Sequence, residues 1–244
     1  MFISRQQLEY DMGVHKDIAR FFVDRKPPEN NSFWKGRLLY VGMGNGFVSI
    51  PVFYDILYRL GVPMEKLLEE GHVYFMEQLM HYAMLQERNK ISKAQELDQL
   101  CRMLQGRVKD FSFYNDLNRY LEQPVLKPMG LFGMEHPSLN RADVFLYVIC
   151  DLPLNKKQQE LALRYWYALH PSYLIIDDVR DYAQDIEENE ENVVTDLGGG
   201  AVGFEKTIEL LRKNGEIMSE INPALAKFLV SYEGQLEDFV PKNN

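Results

Sequence analysis

The sequence predicts an α/β fold: a three-layer, mostly parallel sheet with helices on both faces, helix-rich at both ends. Three observations carry this reading. Val144 to Cys150 is an apolar run ending in Asp151, and Tyr173 to Ile176 is a second one ending in Asp177-Asp178. Between them Lys156 to Leu169 has apolar residues at helical spacing, closed by His170-Pro171, where proline should stop a helix. A strand–helix–strand crossover of this length pairs its strands in parallel. Further upstream, RLLYV at 37–41 runs straight into Gly42-Met43-Gly44-Asn45-Gly46 and then helical residues.

The elements follow in order. Gln6 to Val23 reads as an amphipathic helix closed by Pro27-Pro28, within a helical extension over 1–36. A single α/β domain is expected over 37–244. It begins with the strand at 37–41 and a helix from about Phe47 to Leu60, with Pro51 in its first turn and Gly61 as C-cap. His72 to Met76 is a strand ending at Glu77, or the start of a helix; periodicity does not separate the two. Leu79 to Gln105 is a charged, solvent-faced helix ended by Gly106, and Arg107 to Tyr114 alternates like a half-buried strand. The proline- and glycine-rich stretch at about 121–139 reads as a loop or lid. After the acidic tract Asp185 to Glu191 and Gly198 to Gly200, two helical stretches close the chain, Phe204 to Lys213 and about Pro223 to Tyr232.

Composition narrows the function classes. The chain has 244 residues, 46% hydrophobic and 26% charged, with a formal net charge of −9. No Lys/Arg run supplies the basic face of a nucleic-acid binder, and no apolar run has membrane-spanning length. Cys101 and Cys150 give neither a disulfide framework nor a zinc spacing, so a reducing cytoplasm is expected. A small-molecule acceptor is the expected partner, with a homodimer as an open option. Only two threonines occur, Thr195 and Thr207, and Leu, Glu and Gln are plentiful, a balance that leans toward helix.

In a parallel sheet both crossover strands end at one edge, so Asp151, Asp177 and Asp178 would meet at the rim where such sheets hold ligands. Three carboxylates there need a cation or donors between them, or else they are solvated loop acids. The glycine stretch lets backbone approach a ligand closely, with helix N–H groups behind it. LLYVGMGNGF, Glu77, ADVFLYVICDL and ALHPSYLIIDDV together resemble the class I S-adenosylmethionine-dependent methyltransferases, a Rossmann-like family. The resemblance implies S-adenosylmethionine held at Gly42, Gly44, Asn45, Gly46, Glu77 and Asp116. It further implies Mg²⁺ or a similar ion at Asp151, Asp177 and Asp178, as in the metal-dependent O-methyltransferases, with methyl transfer to a hydroxyl of a small molecule. His136 in the lid is the candidate base. The chain departs from the family at Tyr40, where an acid is usual, and at Ser172-Tyr173, where two glycines are usual.

A rival reading is all-α. If Pro171 starts a helix instead of a strand, Asp177, Asp181 and Asp185, spaced by four, line one face of it and could hold Mg²⁺ for a diphosphate. DDVRDYAQD with Asn192-Val193-Val194 resembles the second metal motif of class I isoprenoid and terpene synthases, which implies an all-helical fold and a prenyl diphosphate ligand. Gln86-Glu87-Arg88 stands near the place of their first motif and is a poor substitute for it. A phosphosugar-isomerase-like domain lacks its serine-rich loop here, since ICDLPLN after Val148 carries no hydroxyl. A binding role without catalysis is the remaining option.

Overall fold

Helix follows helix from one end of the described chain to the other. The computed structural model describes residues 4–26 and 48–239. Among these residues there is no β-strand, and the one pairing of strand type is an isolated bridge between Met129 and Phe132. The α/β expectation, with its Rossmann-like parallel sheet, is therefore corrected to an all-helical architecture. The expected strand at 37–41 and the glycine stretch lie outside the described residues.

A π-helical turn, Gln7–Asp11, precedes α1 (Lys16–Asp24). Gly13 breaks the single helix expected there: its φ is +64°, and a Cβ would sit 2.6 Å from Asn222 Oδ1. Then come α2 (Ser49–Arg59), α3 (Met64–Leu67), α4 (Glu70–Glu87), α5 (Lys93–Leu104) and α6 (Phe111–Leu121). Pro51 lies in the first turn of α2, where its missing N–H costs nothing. Ser92 caps α5 in a reciprocal box with Gln95, and this break at 88–92 divides the single helix expected over 79–105. The half-buried strand expected at 107–114 is instead irregular chain up to Asp110, whose carboxylate caps α6.

The stretch 121–139 is irregular but tied down. Asn140 Nδ2 donates to the carbonyls of Leu126 (3.1 Å) and Met134 (2.9 Å), and Gly133 N–H donates to Tyr167 Oη at 2.6 Å. Two 3₁₀ turns, Pro137–Asn140 and Asp143–Leu146, lead into α7 (Tyr147–Cys150). Every residue from Asp143 to Cys150 is buried. That explains the misreading: a helical run apolar on all sides has no amphipathic period and looks like a buried strand.

The long helix α8 (Lys156–Glu188) organises the rest. Asn155 caps its start in a box with Gln158, and Asn189 ends it in the left-handed conformation. Pro171 does not stop it. An internal proline costs about 3 kcal/mol or more, but Leu169 to Tyr173, Ile175 and Ile176 are all buried, and that packing carries the helix across. The predicted strand Tyr173–Ile176 is thus a turn of helix. α8 packs against α2, α9 (Val193–Asp196), α10 (Gly200–Ser219) and α12 (Glu233–Glu237), while α11 (Pro223–Val230) packs on α10.

Candidate functional site

Because α8 continues through Pro171, residues expected on separate elements share one helical stripe. Trp166, His170, Tyr173, Leu174 and Asp177 follow the spacing of one face. All five line a cavity of about 720 Å³ that also takes in Met80, Met84 and Glu87 of α4, Phe145 and Arg141. That volume is within the roughly 300–1,000 Å³ typical of small-molecule sites. Its depth is apolar and aromatic. Its rim carries five carboxylates (Glu87, Glu96, Asp177, Asp178, Glu191) against the cations Lys93 and Arg141.

The aromatic wall is held from behind by a buried acid. Asp143 accepts from Trp166 Nε1 at 2.8 Å, from Tyr120 Oη at 2.5 Å and from Tyr167 Oη at 3.1 Å. Burial pushes its pKa up to about 6, although all three donors favour the charged form. The Trp166 indole meets the Phe145 ring at 5.4 Å and 18°, and the His170 ring at 4.9 Å and 3°. His170 is 4% exposed, and neither of its ring nitrogens has a hydrogen-bond partner among the described residues. Burial, with the nearby Arg141 charge, pushes its pKa down to about 3, so it is neutral at physiological pH. One turn on, the buried Tyr173 hydroxyl also lacks a partner among the described residues.

The rim is locked by Arg141. Its Nη2 lies 2.7 and 2.6 Å from the two oxygens of Asp178, Nη1 donates to the Glu191 carbonyl and Nε to the Ser138 carbonyl. Asp178 also accepts the Val193 N–H at 2.6 Å, capping the turn at α9. Burial still holds its carboxyl above the usual range, since Arg141 and the N–H only partly offset it. Asn192 Nδ2 donates at 2.7 Å to both the Asp178 carbonyl and Asp185 Oδ2.

Among the described residues, only Asp177 and Asp178 of the sequence-predicted site residues line the cavity together. Gly42, Gly44, Asn45 and Gly46 lie outside the described residues. Glu77, expected at a strand end, is buried in mid-α4 and holds Arg25, which also pairs with Glu70. Asp116 is half-buried on α6 beside Arg119. Asp151 follows α7, away from the cavity lining, bonded to His72 Nδ1 at 3.0 Å and to Arg107. Burial pushes Asp151 up, but those two partners outweigh it and leave it below the usual carboxylate range. His136 stands 3.9 Å from Asp196, one residue before the cavity-lining Pro137. Of the three predicted metal acids, Asp177 and Asp178 reach the rim, on one helix and not at a shared sheet edge.

The helical rival fares better in placement. Asp177, Asp181 and Asp185 do lie on one unbroken helix, with Asp177 at the cavity. A ready-made magnesium site does not follow. Asp178 is committed to Arg141 and Val193, and Asp185 to Asn192. Among the described residues no group of three His, Cys, Asp or Glu side chains is arranged to hold a metal ion. Sequence reasoning missed His170 and Tyr173 as site residues. Their signal was the Trp166-x-x-x-His170-x-x-Tyr173-Leu174-x-x-Asp177 spacing, visible only if Pro171 is allowed inside a helix. No helix among the described residues is long and apolar enough to cross a membrane. No family model, no curated protein and no solved structure matches the chain.

Proposed function

We propose that this is an all-helical binding protein for a small, largely apolar molecule of prenyl-like character, seated between α4 and α8. The observation that carries the reading is the aromatic stripe of α8, Trp166 to Leu174, which lines a cavity of ligand size. Apolar bodies gain roughly 25 cal/mol per Å² of surface buried, and rigid aromatic walls supply that surface without loss of side-chain freedom. The reading keeps the prenyl body implied by the isoprenoid-synthase resemblance and leaves out its magnesium, since the residues present do not assemble a site for it. The methyltransferase reading is not carried forward, because the described residues form no sheet rim of the kind on which it stands.

Binding, not turnover, is assigned. His170 is neutral and has no carboxylate to orient it, unlike a histidine poised as a general base. The excess of carboxylates at the rim repels a free diphosphate and tolerates an uncharged head. The test is a thermal-shift and tryptophan-fluorescence titration in a Trp34→Phe background, in which Trp166 is the sole emitter. Prenyl alcohols are expected to raise Tm and change Trp166 emission, by the linkage of ligand binding to folding. If only prenyl diphosphates act, and only with Mg²⁺, the metal-dependent synthase reading replaces this one.

A further inference from the structure

Two polar groups in this cavity want something that the protein does not provide. His170 and Tyr173 are each 4% exposed, line the same cavity and lie one turn apart on α8. Both ring nitrogens of His170 and the phenol of Tyr173 lack a hydrogen-bond partner among the described residues. A buried polar group left without a partner costs about 1–3 kcal/mol, and buried polar atoms are as a rule satisfied. Three such atoms at the wall of one apolar cavity therefore mark the place where a ligand's polar end belongs.

The donor and acceptor inventory narrows what that end is. A neutral imidazole offers one donor and one acceptor, and a phenol offers one of each. An ammonium only donates, so it leaves the imidazole N–H unmet. A carboxylate or phosphate only accepts, and it enters against the acidic rim. A hydroxyl donates and accepts, so it can bridge the phenol and whichever ring nitrogen faces it, in either tautomer of the imidazole.

We propose that the cavity selects its ligand by a hydroxyl head group held between His170 and Tyr173, with the apolar body along Trp166 and Phe145. This rests on the cavity reading given above and names the chemistry of its polar end. Stacking on Trp166 fixes the plane of the imidazole, and Asp143 fixes Trp166, so the head-group position is built before ligand arrives.

The experiment compares geraniol with its methyl ether, which keeps the apolar body and the acceptor but cannot donate. Binding is followed by Trp166 fluorescence in the Trp34→Phe full-length chain. Geraniol is expected to bind about tenfold more tightly than the ether, the worth of one or two net hydrogen bonds. Whichever of the two side chains accepts the hydroxyl proton should show the effect: one of His170→Phe and Tyr173→Phe should shrink that ratio toward one while the ether's affinity is kept, and the other should weaken both ligands alike. Equal affinity of the two probes in the unsubstituted site, or an unchanged ratio in both variants, overturns the head-group assignment and leaves the cavity reading standing. No binding of either probe up to its solubility limit overturns both. Should a substitution unfold the chain, ¹⁵N-histidine NMR decides: geraniol must shift the His170 ring nitrogens by more than the ether does, and equal shifts or none refute the assignment.

Discussion

The indole of Trp166 lies 3° from parallel with the imidazole of His170, their centroids 4.9 Å apart, one turn along α8. This pairing exists because the helix passes through Pro171, and it turns a histidine read as a helix stop into part of a cavity wall. Asp143 stands behind it, gripping the indole N–H.

Asp143 makes the wall sensitive to pH. Its carboxyl holds a proton in the folded chain up to about pH 6, against an ordinary value of 3.8. Between those values the folded state binds more protons than the unfolded state. The stability this group contributes is therefore complete below pH 3.8 and is lost as pH rises through about 6. Asp143→Asn does not titrate. The stability difference, unsubstituted minus variant, should accordingly shrink between pH 4 and pH 7, by about 3 kcal/mol if the full shift is expressed. Urea denaturation of both chains at the two pH values measures it, and a difference that grows with pH contradicts the assignment.

Arg141 is expected to matter through the acid that it covers. Arg141→Ala leaves Asp178 buried with a single N–H partner, and removing one partner of a buried ion pair costs about 3–5 kcal/mol. Arg141 is partly exposed, with 29% of its side chain accessible, so solvent screening should bring this toward about 2 kcal/mol. Adding Asp178→Asn should recover part of the loss at pH 7. A double variant less stable than Arg141→Ala would show that Asp178 is stabilised by something other than this guanidinium.

Gly203 marks the closest approach of α10 to α9. A Cβ there would stand 2.2 Å from the Val194 carbonyl oxygen, a backbone atom that cannot swing aside. Gly203→Ala should cost about 3 kcal/mol or more, by forcing the two helices apart. Gly234→Ala in α12 meets nothing within 4 Å and should stabilise by about 0.5–1 kcal/mol from helix propensity. Thermal denaturation of the two variants compares them, and equal melting temperatures would contradict this packing.

Much of the local order was legible in residues. Lys156 begins its helix where the spacing places it, after an Asn155 cap, and Pro51 sits where a proline can begin one. The shortage of threonine pointed the right way and was outweighed by apolar runs read as strands. His72–Met76, Val144–Cys150 and Tyr173–Ile176 all proved helical. Four to seven consecutive apolar residues are compatible with a buried strand or with a turn of buried helix, and no period within so short a run distinguishes them.

The candidate site shows the same division. The four-residue spacing of Asp177, Asp181 and Asp185 can be read from the chain alone, as can the acidic balance and the order of the helical segments. Whether His170 ends a helix or faces a cavity from inside one depends on energy gained far from it in sequence. Burial of the turns around Pro171 against α2 and α10 outweighs the missing backbone hydrogen bond, and that sum exists only once the chain has folded.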